Sequence, residues 1–172
     1  HDGGALGTAT FKWSRDNASI TYSIDEFISS DPKKIKLKQI GKDEILKIKE
    51  HDWLEISGDE TDLETENPGT IAKVKKVENL ILTLDRNVDA HKNEKHPKIR
   101  RWDVESDSAS ALTATAAGPI NLEYGIQLSF SGSKFKTGDY WVFAARTIMG
   151  EIEELDYELP HGIRHHYCKL AL

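Results

Sequence analysis

The residues best equipped for chemistry lie close together near the end of the chain: His161, His165, His166 and Cys168. Imidazole and thiolate are the usual protein ligands of zinc and copper, so this segment is the candidate site of a metal-dependent enzyme. Its spacing argues the other way. On a strand His165 and His166 point to opposite faces, and both reach one ion only across a bulge. No CxxC or HExxH pattern accompanies them. The expectation is no metal and no cofactor, with the histidines hydrogen-bonded at a sheet edge. A free amino-terminal His1 would chelate copper through its amine and ring, as in oxidative polysaccharide-cleaving enzymes. Those secreted enzymes carry disulfides, however, and this chain has one cysteine.

Other polar groups invite a functional and a structural reading. Arg15, Asp16, Arg100, Arg101, Asp103, Asp139, Arg146 and Arg164 stand beside bulky aromatics. They could hold a carboxylate or phosphate, but Arg–Asp pairs beside Trp commonly fix strand register, and pairing is the expectation. Asp59, Glu60, Asp62, Glu64 and Glu66 make an acidic run that lacks the glycine and terminal bidentate Glu of a calcium loop. Lys73, Lys75, Lys76, Lys92, Lys95, Lys98, Arg100 and Arg101 give the small barrel a basic side, yet no exposed aromatic alternates with those lysines as single-stranded nucleic acid requires. Trp13, Trp53, Trp102 and Trp141 sit in core-like strand patterns, so core is expected before a sugar platform, with Trp141 buried near the centre of the outer domain's core. No glycine-rich phosphate loop, nucleophile elbow or Ser/His/Asp order stands out, and no catalytic residue is assigned.

The elements that position these groups read as strands and turns. Alternation marks Thr8 to Trp13 and Ser19 to Ile24 around an Arg15-Asp16-Asn17 hairpin turn. Ile35 and Leu37 alternate with Lys34, Lys36 and Lys38, the pattern of an edge or half-exposed strand. Trp53 to Ser57 is a strand, Gly58 to Asn67 an acidic loop, and Ile71 to Val77 pairs with Leu80 to Asp85 about Glu78-Asn79. Ile99 to Asp103 returns the chain. Val104 to Gly118 is a Ser/Ala/Thr-rich loop, and Leu122 to Phe130 a strand in which Gly125 marks a bulge or a close backbone contact. After a turn at Gly138-Asp139, Tyr140 to Ala145 is an apolar run suited to a strand buried on both faces. Ile163 to Tyr167 forms a terminal strand. The fold class is mainly β: a sandwich-like or barrel-like outer domain, residues 1–44 plus 104–172, carrying an inserted small SH3- or OB-like β barrel, residues 45–103.

The segments ATFKWSRDNASI (9–20), PKIRRWD (97–103), LEYGIQLSF (122–130), TGDYWVFAART (137–147) and PHGIRHHYCKLAL (160–172) resemble an uncharacterised bacterial family of β-rich domains. The resemblance implies a module of large secreted or phage-tail-like proteins, and it carries no activity over. Tyr124 stands where that family tends to have Asp. It also implies that an upstream part precedes His1-Asp2, which accords with a chain opening on His1 without a targeting segment.

Composition bounds the function. The chain has 172 residues, 38% apolar, and a net charge of −6. A mildly acidic surface argues against nucleic acid as the main partner, and no apolar run approaches the roughly 20 residues of a membrane span. The expected function is a structural or interaction module assembling into an oligomer, filament or particle. Its partners are copies of itself or other domains of a larger parent protein, in an extracellular or assembled-particle setting. A carbohydrate-binding module or carbohydrate-active enzyme is the alternative, and a metal-dependent enzyme using His161, His165 and His166 the third.

Overall fold

The computed structural model describes residues 3–64, 69–103, 112–114, 118–146 and 150–162. In chain order the elements are β1 (Thr10–Phe11), β2 (Thr21–Phe27), β3 (Lys34–Leu37), β4 (Trp53–Ser57), the helix α1 (Asp59–Leu63), β5 (Thr70–Glu78) and β6 (Ile81–Leu84). A 3-10 turn at Asp89–His91 leads to β7 (Lys98–Trp102). Five short strands follow: β8 (Leu112–Thr113), β9 (Ile120–Asn121), β10 (Gln127–Leu128), β11 (Ala145–Arg146) and β12 (Glu151–Ile152).

The protein is mainly β, and six antiparallel strands dominate it. Their pairings close in the order β2-β3-β6-β5-β4-β7. Closure is made by the two longest strands, each of which serves different neighbours along its two halves. β2 pairs with β7 through Thr21–Ser23 and with β3 through Ile24–Phe27. β5 pairs with β4 through Thr70–Lys73 and with β6 through Val74–Glu78. Both strands shift register where they cross from one half to the other, between Ile24 and Glu26 and between Val74 and Lys76. An extra residue, Asp25 or Lys75, bends the strand there and lets it turn the corner between half-sheets.

Inside this ring, Ile35, Leu37, Leu54, Ile56, Ala72, Leu82 and Ile99 are fully buried. Ile48 and Val88 close over them from loops and are buried as well. The loop bearing Ile48 is held by two groups on the strands: the Tyr22 hydroxyl donates to Leu46 O (3.0 Å) and Arg101 Nη1 to Ile45 O (2.8 Å).

Several sequence expectations change. β3 is interior to the sheet, between β2 and β6, and not an edge. Its alternating lysines mark the ring's solvent side, which every strand possesses. The ring also takes β2 and β3 from the amino-terminal side of the boundary expected at residue 45. Asp16 and Asn17 do turn the chain, with Ser19 N donating to Asp16 O, but the flanking strands do not pair: β1 joins β8, while β2 joins β3 and β7. Part of the acidic loop is the helix α1. Gly125 is not a bulge. It closes a β9–β10 hairpin with Tyr124, at φ 82° and 51°, the pair of positive φ values that a type I′ turn requires.

The bulge in β5 gives a direct test. Lys75 is exposed, so Lys75→Ala should change stability by less than about 0.5 kcal/mol. Deleting Lys75 should keep Val74 and Val77 facing the core but lower the urea midpoint, because β5 loses the extra residue that bends it round the corner.

Candidate functional site

Three clusters bring polar and aromatic groups together. The first lies on the outer face of β4. Trp53, Glu55 and Ser57 point away from the core, yet all three are buried. The amino-terminal segment covers this face: Lys12 Nζ pairs with Glu55 Oε1 at 2.5 Å and lies 4.3 Å above the Trp102 ring. The Trp102 indole donates to the other carboxylate oxygen at 2.8 Å, and Arg100 Nη1 approaches it at 3.9 Å. Nearby, Arg15 Nε and Nη2 donate bidentately to Glu123, and the Arg15 amide donates to Asp103 Oδ2 at 2.9 Å. The Glu123 hydrogen bond is the main reason the Arg15 guanidinium holds its proton more tightly than usual. Arg15, whose guanidinium lies 5.8 Å from the Trp13 ring, is thus paired as expected, though its bidentate partner is Glu123 and not an Asp. The main acid partner, Glu123, lies 108 positions away, and no local pattern points to it.

The second cluster closes one end of the ring. The 3-10 turn and the chain after it carry His91 and Glu94, and β5 begins at Thr70. His91 is buried, with Nδ1 2.5 Å from Glu94 Oε1 and Nε2 2.7 Å from Thr70 Oγ1. The Thr61 hydroxyl straddles the two Glu94 oxygens at 2.8 and 3.0 Å, and its amide donates at 3.3 Å. Burial raises the Glu94 pKa, but the hydrogen bonds from Thr61 and His91 outweigh it and leave the carboxyl below its ordinary value. Gly58 is required here, since a Cβ at that position would lie 2.4 Å from Glu94 Oε2. Two acidic residues expected in a solvated loop also bind in this region: Asp59 faces His96 at 2.7 Å, and Lys98 pairs with Asp62. Sequence reasoning missed this cluster. Its only local signal is His91 and Glu94 three residues apart, which brings them together on a helical turn.

The third feature is an arm. Its outgoing leg, residues 140–146, and its return leg, 150–161, are joined by the Tyr140–His161 bridge and the β11–β12 pair. From Tyr140 to Ala145 is five steps, and from Ile152 back to His161 nine, so the return leg carries four surplus residues. The apolar run does not form the doubly buried strand expected of it. Trp141 is half-buried, donating to Glu158 O at 2.9 Å and meeting Phe130 edge-on at 5.8 Å between centroids. It therefore belongs to a small aromatic cluster with Phe130, and Phe11 and Phe135 pack on the same ring. It is only half-buried there, not buried at the centre of an outer core as expected. Tyr140 and Val142 are about half exposed, at 52% and 51%, while Tyr157 and Leu159 are 85% and 81% exposed.

Of the candidate metal ligands, His161 is exposed, and its ring stacks on Tyr140 with centroids 5.4 Å apart. His165, His166 and Cys168 lie outside the described residues, as do His1 and the terminal strand expected at 163–167. Among the described residues no group of three His, Cys, Asp or Glu side chains could hold a metal ion.

The pattern that defines a family of unknown function, DUF6519, matches residues 2–157. The chain belongs to DUF6519. The match spans the ring, the β4 cluster and most of the arm of this DUF6519 chain and ends before His161. No curated protein matches it, and no solved structure does.

Two outcomes test the polar clusters. Lys12→Met strands the buried Glu55 carboxylate and should cost about 3 kcal/mol in urea unfolding. Adding Glu55→Gln should recover most of that loss, because the uncompensated charge goes with it. The second outcome concerns acid. The folded-state pKa of Glu94 is depressed below 4.5, so its stabilisation is complete above that pH and is lost as pH falls through the folded value. Glu94→Gln should therefore lower stability at neutral pH and flatten the fall in urea midpoint between about pH 5 and 3.

Proposed function

We propose that this chain is a structural and interaction module that assembles with copies of itself or with neighbouring domains of a larger parent protein. The observation that carries the reading is the arm. Within residues 140–159, Tyr140, Val142, Ile152, Leu155, Tyr157 and Leu159 are all exposed, a concentration of large apolar groups that water disfavours. The surplus residues of the return leg bear Leu155, Tyr157 and Leu159, so the least covered apolar groups stand where the leg departs from its partner. A second copy is the occupant this geometry favours. Two equivalent apolar arms can cover each other about a two-fold axis, each supplying what the other lacks.

The ring of pairings supports a small barrel of the SH3- or OB-like kind as the rigid body that presents the arm. Resemblance to modules of secreted or tail-like particles supports the setting, a large extracellular or filamentous assembly.

A second reading, carbohydrate binding, has one observation behind it: exposed Tyr140 and Tyr157 are flat rings of the sort that sugars stack on. Retention on immobilised polysaccharide, lost in Tyr140→Ala and Tyr157→Ala, would identify it.

Light scattering after size exclusion tests assembly. The intact chain should show a mass rising with concentration. The combined variant Tyr140→Ser, Val142→Ser, Tyr157→Ser and Leu159→Ser should stay monomeric, with its urea midpoint nearly unchanged because these side chains pack little against the body. A monomeric wild-type chain throughout the range would refute the proposal.

A further inference from the structure

The cluster at the end of the ring has the parts and the order of a nucleophile relay. Thr70 shares the interior face of β5 with Ala72 and Val74, but as the first residue of the strand it stays half exposed while they are buried. Its hydroxyl oxygen lies 2.7 Å from His91 Nε2. The tautomer of His91 follows from its other side. Glu94 is held ionised by the hydroxyl and amide of Thr61 and by His91 itself, so Nδ1 must carry the proton shared with Oε1. In the neutral ring Nε2 then keeps a lone pair facing Thr70, whose O–H can donate to it. Glu94 cannot swing away without breaking both bonds from Thr61. His91, 6% exposed, is locked between its two partners.

We propose that Thr70 is an activated hydroxyl nucleophile, served by His91 as base and Glu94 as the orienting acid, that accepts an acyl group from an ester. Thr70 Oγ1 attacks the acyl carbon, the O–H bond breaks and its proton passes to His91 Nε2. The acyl–oxygen bond of the ester breaks, and the leaving alkoxide takes the proton from the imidazolium and departs as the alcohol. Thr70 is left as its O-acyl ester. Water, deprotonated by the same nitrogen, hydrolyses that ester and restores the hydroxyl. Glu94 stabilises the imidazolium formed in each half and keeps the ring in the productive tautomer.

The reading adds a reactive site to the body and is independent of the arm. It is tested with a fluorophosphonate, which an activated hydroxyl attacks at phosphorus with loss of fluoride, followed by peptide mapping of the folded chain. The expected result is an adduct on Thr70, retained in Thr70→Ser. His91→Gln should slow it by about 100-fold or more, the usual contribution of a general base. Glu94→Gln should slow it as well, whereas Tyr157→Ser should react as wild type. Circular dichroism on each variant separates lost reactivity from lost fold, and the comparison of wild type with Thr70→Ser stands even where another variant fails to fold. A folded wild-type chain with no adduct on Thr70, or equal rates in wild type and folded His91→Gln, would overturn the proposal.

Discussion

Burying the Glu55 carboxylate on the outer face of β4 is the constraint that joins the parts of this molecule. A lone ionised carboxylate in that position would be strongly unfavourable, and three groups offset it: Lys12, the Trp102 indole and the Arg100 guanidinium. Trp102 and Arg100 lie on β7, the ladder partner of β4, so the ring itself supplies them. Lys12 comes from outside the ring. Its segment is tied at both ends, through the Gly4–Phe135 bridge and through Arg15 to Asp103 and Glu123. The need to pair one buried charge thus holds an amino-terminal strap against the body. Phe11 on the same strap packs on Phe130, which meets Trp141 of the arm. Strand closure, strap and arm form one mechanical chain.

That chain separates two kinds of surface. The ring encloses most of its apolar residues, each of its six strands pairs on both sides, and the outer face of β4 is covered by the amino-terminal strap. The arm is covered less: its described residues leave large apolar groups in water, as the proposed assembly with another molecule requires. A rigid body with an incompletely packed arm fits a module whose role is to be joined to something else. The hydroxyl–imidazole–carboxylate cluster sits elsewhere, at the ring's end, where α1 and the 3-10 turn converge.

How much of this the sequence shows depends on how local the deciding contact is. β4 is legible to the residue, because the run from Trp53 to Ser57 lies between turn signals, and the β5–β6 hairpin is legible from its alternation and from Asn79, which adopts φ 56°. For β3 the half-exposed alternative holds and the edge alternative fails, because alternating lysines identify an outward-facing side and every strand of the ring has one. The Tyr124-Gly125 turn is hidden because tyrosine seldom takes a positive φ and so carries no turn signal. The run 140–145 looks like core because apolar content alone does not distinguish a strand covered on both faces from one paired at its ends and left open to water. Glu123 and Thr70 are missed because their partners come from remote segments. A carboxylate or hydroxyl announces nothing until the fold delivers the group that faces it.

Hydrogen exchange of the intact chain, followed by mass spectrometry from about 1 to 200 µM, tests the central claim most directly, since association must obey mass action. The account predicts that amides in residues 140–146 and 150–161 become slower to exchange as concentration rises, while those of β2 to β7 keep one rate throughout. Arm amides that exchange equally fast at every concentration would contradict it.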